Sequence, residues 1–95
     1  SNPCMYYVIL TSRYKKSLRK IKESGRYYIS DIEKVVKIIA SGKKLDEKYR
    51  DHSLTGSMSE YRECHIKSDL LLVYYFNHNE LILVLVNIGS HSDLF

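Results

Sequence analysis

Along this chain the spacing of apolar positions changes character twice, and each change marks a change of structure. Tyr6-Tyr7-Val8-Ile9-Leu10 is a β-branched and aromatic run that predicts a first strand. Thr11 or Ser12 then caps a helix whose apolar residues Tyr14, Leu18 and Ile21 recur at i, i+4 and i+7, and Gly25 ends it. A second helix aligns Tyr28, Ile32, Val35, Val36 and Ile39 on one face and stops at Gly42. So short a connection predicts an antiparallel helix pair. From Lys43 to Ser59 no period survives, although Leu45, Tyr49 and Leu54 can pin the segment to a core. Unstructured segments this long are uncommon in compact domains and are often functional. Beyond it the pattern is β, with strands over Tyr61–Ile66, Leu70–Phe76 and Leu81–Ile88 joined by Lys67-Ser68 and Asn77-His78-Asn79. Loops this short force antiparallel neighbours, so the three form a meander. Its last two strands are apolar almost throughout, as central strands are.

The meander places chemistry. The second strand of the chain ends where the third begins, at Asp69, and the fourth runs back to finish beside that point. His65, Asp69 and His91 therefore gather at one sheet edge, and His78 is left at the opposite edge. His52, in the aperiodic segment, is not placed by topology. Arg62 suits a phosphate, because guanidinium matches phosphate oxygens bidentately. Strand alternation nevertheless sets Arg62 and Cys64 on the face opposite His65 unless a bulge intervenes. Cys64, with no activating base on that face, reads as buried and inert.

Charge adds a second signal. The net charge of +4 conceals 13 Lys/Arg against 5 Asp/Glu in residues 1–50, and 2 against 6 in residues 51–95. Arg13, Lys15, Lys16, Arg19, Lys20 and Lys22 fall off the apolar stripe of the first helix and form a face suited to a polyanion, or simply a solvated one. All four histidines lie in the acidic half. At 95 residues the expectation is one α+β domain. The longest apolar run, Leu81 to Val86, falls far short of the about 20 residues that cross a bilayer, and no N-terminal stretch combines a basic start, an apolar middle and a small-residue cleavage site. No membrane is therefore expected. Cys4 and Cys64 make neither a disulfide framework nor a metal-ligand spacing, and residues 1–4 read as a cloning remnant.

Imidazole exchanges protons near neutral pH, and a neighbouring carboxylate can orient it, raise its pKa or accept a proton itself. Set beside a basic face, this chemistry suits phosphodiester transfer in RNA, where the 2′-hydroxyl already lies next to the phosphorus. The protein need only remove that proton, stabilise the phosphorane and protonate the leaving 5′-oxygen, with no cofactor or metal.

Four blocks then carry a family resemblance. Tyr49-Arg50-Asp51-His52-Ser53-Leu54-Thr55-Gly56, Tyr61-Arg62-Glu63-Cys64-His65-Ile66, Asp69-Leu70-Leu71-Leu72-Val73-Tyr74 and Gly89-Ser90-His91-Ser92-Asp93-Leu94-Phe95 resemble the YafQ-type branch of the RelE toxin superfamily. The resemblance implies a cytoplasmic bacterial toxin of a type II toxin–antitoxin module, with two helices on a four-stranded, largely antiparallel sheet. It implies entry into the A site of the 70S ribosome and metal-independent cleavage of mRNA there. It implies active-site roles for His52, His65, Asp69, His91 and Phe95. His91 would be the general acid, and Asp69 or His52 the base. His65 would position or stabilise the phosphate, and Phe95 would stack on a base or pack beneath the site. The basic helical face, with Arg50 and Arg62, would contact rRNA or substrate phosphates. Leu70 stands where the branch can carry a tryptophan, which bears on base stacking rather than on proton chemistry. A lethal nuclease further implies an acidic antitoxin, with a bridged heterotetramer as one arrangement.

Two other readings remain at this level. One is a non-catalytic relative of the gyrase-poisoning kind, or a nucleic-acid-binding module, which would not need the histidine cluster. The other is a zinc site built from His52, His65, His91 and Asp69, although these lack short local ligand spacing.

Overall fold

The order of elements in a computed structural model, which describes residues 5–95, is β1 (Tyr7–Leu10), α1 (Ser12–Ser24), α2 (Ile29–Ala40), β2 (His52–Ser53), β3 (Arg62–Lys67), β4 (Leu70–Asn77), β5 (Ile82–Gly89) and α3 (His91–Leu94). Residues 1–4, read above as a remnant and including Cys4, lie outside the described residues. One mixed sheet runs in the order β1-β5-β4-β3-β2. Among the described residues, only β1 and β5 pair in parallel; the other pairs are antiparallel.

Local signals set the first helix. The Thr11 hydroxyl accepts the Tyr14 amide at 3.0 Å and donates to the Val86 carbonyl at 2.7 Å, so a single residue caps α1 and ties it to β5. Gly25 closes α1 in the left-handed region at φ 67°. In α2, Ile32, Val35 and Ile39 are buried as the spacing predicts. Tyr28 departs from that stripe: it is the extended residue before the helix, and its ring is exposed.

α1 packs along β5 and α2 against β3. Their buried side chains join Cys64, Leu70, Leu72, Tyr74, Leu83, Leu85 and Ile88 in one core. Those sheet residues share a face by alternation, kept in phase from Leu85 to Ile88 by a bulge in the β4–β5 register, which leaves Glu63, His65 and Leu71 on the other. Cys64 is fully buried, and desolvation pushes its thiol up to about 12.

The expected four strands are five. The additional one, β2, is two residues long and pairs His52 with Glu63 and Ser53 with Arg62. Single 3-10 turns at Glu47–Tyr49 and Gly56–Met58 flank it, and Leu45 anchors the segment in the core. β5 begins one residue later than the apolar run suggests, because Leu81 takes a left-handed turn conformation at φ 55°. Its partner β1 exposes Tyr7, Val8, Ile9 and Leu10 at the sheet edge.

Candidate active site

β3 supplies two members of the site by alternation. Glu63 and His65, two residues apart, project from the face opposite the core. A bulge does interrupt the β3–β4 register, but it falls between His65 and Lys67, beyond the stretch that orients Arg62 against His65. β2 lays His52 directly across from Glu63, and this pairing supplies the placement that the meander alone lacks. The β3–β4 turn contributes Ser68 and Asp69, and α3 contributes His91. These groups line one open cleft of about 740 Å³ together with Arg50, Leu71, Ser90 and Ser92.

At its centre lies Glu63, whose side chain is only 8% exposed. Its Oε1 stands 3.5 Å from His52 Nε2 and 3.8 Å from His65 Nε2. His52 Nδ1 lies 2.7 Å from the Arg50 carbonyl, which can only accept, so Nδ1 carries the proton. In neutral His52, Nε2 then presents a lone pair to the cleft. A proton arriving on that nitrogen is met by the Glu63 carboxylate. His65 points Nε2 toward Glu63, and its Nδ1 is buried without a hydrogen-bond partner.

The remaining expected residues are placed differently from one another. Asp69 lines the cleft but faces Arg26, whose Nη2 donates to its Oδ2 at 3.3 Å across an exposed pair. The Tyr27 phenol is held above its usual range by desolvation and, after that, by its hydrogen bond to Asp69. His91 opens α3, and the Phe95 ring tilts against it with centroids 5.1 Å apart. Phe95 does not itself line the cleft. A reciprocal capping box fixes this short helix: Asp93 N–H donates to Ser90 Oγ, and Ser90 N–H donates to Asp93 Oδ2. The hydrogen bond from the Ser90 backbone holds the Asp93 carboxyl below its ordinary range.

Arg62 stands apart from the cleft. Its Nε and Nη2 donate to Asp51 Oδ2 at 3.1 and 2.7 Å, and Nη1 donates to Ser53 Oγ at 2.8 Å. The Tyr74 hydroxyl donates to the other Asp51 oxygen. Hydrogen bonding to Asp51 raises the Arg62 pKa, whereas burial, ahead of Asp51, raises that of Tyr74. Arg62, which alternation sets opposite His65, does not line the cleft and is engaged in fastening β2 to β3. Arg50 does line the cleft. Arg13, Lys15, Lys16, Arg19, Lys20 and Lys22 are all exposed along α1. His78 sits at the far edge, 2.9 Å from the Tyr6 hydroxyl and stacked on Phe76.

Glu63 is the residue that the sequence reading missed. The alternation that separates Arg62 from His65 puts Glu63 beside His65, so the signal was present. Among the described residues, no group of three or more His, Cys, Asp or Glu side chains is arranged to hold a metal ion, the proposed four-residue zinc site included. Among the described residues, no helix is long and apolar enough to cross a membrane.

Two helices packed on a mixed, mostly antiparallel sheet match the fold of YafQ and RelE-like structures. The family described as the bacterial toxin of type II toxin–antitoxin systems, YafQ, matches residues 6–95. The chain belongs to that family. A Haemophilus influenzae protein named "Putative toxin YafQ" is 41% identical over 54 residues, a match spanning 53% of this chain and 53% of that relative. A metal-bound toxin structure from Helicobacter pylori superimposes with a TM-score of 0.90 at 40% identity, covering 96% of this chain and 100% of that one. The YafQ of an Escherichia coli DinJ–YafQ complex has the same fold at 23% identity, with a TM-score of 0.83 over 96% of this chain and 98% of that one.

Proposed function

We propose that this toxin is an endoribonuclease that cuts mRNA on the ribosome by metal-independent acid–base catalysis. The observation that carries this reading is the convergence of His52, Glu63, His65, Asp69 and His91, drawn from three separate stretches of sequence, around one open cleft. His52 is the base: Nε2 takes the 2′-hydroxyl proton, and Glu63 stabilises the imidazolium that results. Asp69, engaged by Arg26, is better suited to holding the edge of the cleft than to taking that proton. The 2′-oxygen bonds to phosphorus, and the 5′-oxygen leaves with a proton from His91. The products are a 2′,3′-cyclic phosphate and a 5′-hydroxyl end. His65 braces Glu63 from the second side, and Phe95 sets the tilt of His91.

A cleft this open gives little grip on a free strand, which supports a ribosome that aligns the message while the exposed cations of α1 meet rRNA phosphates. The DinJ–YafQ complex supports a cognate antitoxin for this chain as well, an acidic segment suited to the basic face. The relevant test is purified toxin with programmed ribosomes in EDTA, with cuts mapped by primer extension. Cleavage persists in EDTA and falls by about a hundredfold or more in His91→Ala. Full activity of His91→Ala would remove the role given to that residue. Loss of cleavage in EDTA would replace the metal-free mechanism with a metal-dependent one. Intact message alongside inhibited DNA supercoiling would favour the gyrase-directed alternative.

A further inference from the structure

A second concavity opens from the first. It has a volume of about 370 Å³ and lies between α2, the Glu47–Tyr49 turn and the end of β3. Its walls carry Lys34, Lys48, Arg50 and Lys67 against a single acid, Asp31. Lys67 Nζ is paired with Asp31 at 3.1 Å. Among the described residues, Lys34, Lys48 and Arg50 have no carboxylate within ion-pair distance, so this wall retains uncompensated positive charge. The Lys48 ammonium stands 5.2 Å over the Tyr49 ring, which holds it at the rim.

Arg50, His65 and Ser68 line both this groove and the cleft, so the two are continuous. Arg50 is the joint. It is one of two non-glycine residues with positive φ among the described residues, at 51°. In that conformation its carbonyl accepts the His52 Nδ1–H while the residue itself lines the groove. The cations therefore continue from the His52 side of the cleft rather than from the His91 side, since no α3 residue lines the groove.

We propose that this groove seats the phosphodiester backbone of single-stranded RNA leading into the cleft from the His52 side. The proposal rests on the nuclease reading for what happens in the cleft, but the groove binds by charge alone. A single strand neutralised by each of these cations releases counterions, so affinity falls with salt by about 0.7 in log–log slope per cation engaged. An acidic polypeptide would meet the same charge; continuity with the cleft favours the RNA strand.

The test uses the whole purified toxin and a fluorescent 2′-O-methyl oligoribonucleotide, which cannot undergo 2′-attack, read by anisotropy across a salt series. The double variant Lys34→Ala/Lys48→Ala binds about tenfold more weakly and loses about 1.4 from the salt slope. Lys37→Ala removes one charge from the exposed side of α2 outside the groove and keeps the wild-type slope. Equal binding by the double variant, no binding by the wild type, or displacement of the RNA by oligoglutamate at lower concentration than by unlabelled RNA would each overturn the proposal. Ribosomal cleavage assayed in parallel separates the two readings. Groove binding without message cleavage removes the nuclease and keeps the groove, whereas cleavage with an indifferent double variant does the reverse.

Discussion

Glu63 is an acid buried between two imidazoles, and its cost and its use come from the same fact. A desolvated carboxylate is unfavourable unless positive charge meets it, and two histidine Nε2 atoms stand within 3.8 Å to do so when protonated. Replacing it with the isosteric amide keeps the shape but removes the charge that, in the proposed mechanism, stabilises the His52 imidazolium. Glu63→Gln is therefore expected to fold as stably as the wild type and to lower kcat on programmed ribosomes about a hundredfold, with KM little changed. Single-turnover cleavage and thermal melting check both halves; unaltered kcat would detach Glu63 from the chemistry. In the sequence Glu63 was hidden by company. Arg62 beside it offered a more conspicuous phosphate ligand, and only the strand period distinguishes which of the two faces the cleft.

At the level of elements, the site depends on pieces too short for periodicity to register. β2 spans His52 and Ser53, and no pattern rule finds a two-residue strand. Asp51 holds it by engaging Arg62 and Tyr74 at once. Asp51→Ala leaves a half-buried guanidinium and a buried phenol without their acceptor, and is expected to cost about 1–3 kcal/mol in urea unfolding. It should also lower cleavage by releasing His52. The α3 element behaves differently because its cap is ionic. The Asp93 pKa is depressed in the folded protein, so its contribution is present above the unfolded carboxylate range and is lost as pH falls through the folded value. Below about pH 3.8 the Ser90 and Asp93 amides should lose their protection from hydrogen exchange before the sheet amides do. Simultaneous loss would mean that α3 has no independent opening. The long helices and the three long strands were, by contrast, legible, because Thr11, Gly25 and the apolar runs act locally.

For the molecule as a whole, topology could be read only where loops were short. The meander followed from the tight turns that join β3 to β4 and β4 to β5, and with it the meeting of His65, Asp69 and His91. The edge position of β1 did not follow, since nothing local in Tyr7–Leu10 says which strand will accept it. The charge asymmetry fits the architecture: the cations of α1 lie on the helical layer, and His52, His65, His91 and Glu63 line the cleft on the side that the helices leave open.

That parallel pairing has a consequence in time. β1 is made first, yet the strand it lies against is made near the other end of the chain: Thr11 and Val86 bond across 75 residues. During vectorial synthesis β1 therefore waits, its backbone unpaired, until β5 has cleared the exit tunnel, and His91 emerges after β5. Contacts this distant are also slow to close. A partner already present has that whole interval in which to bind. Nascent chains stalled before residue 82 should remain protease-sensitive throughout, and those stalled with residue 95 outside the tunnel should resist. Early resistance in the shorter chains would show that the helices and β3–β4 fold without waiting.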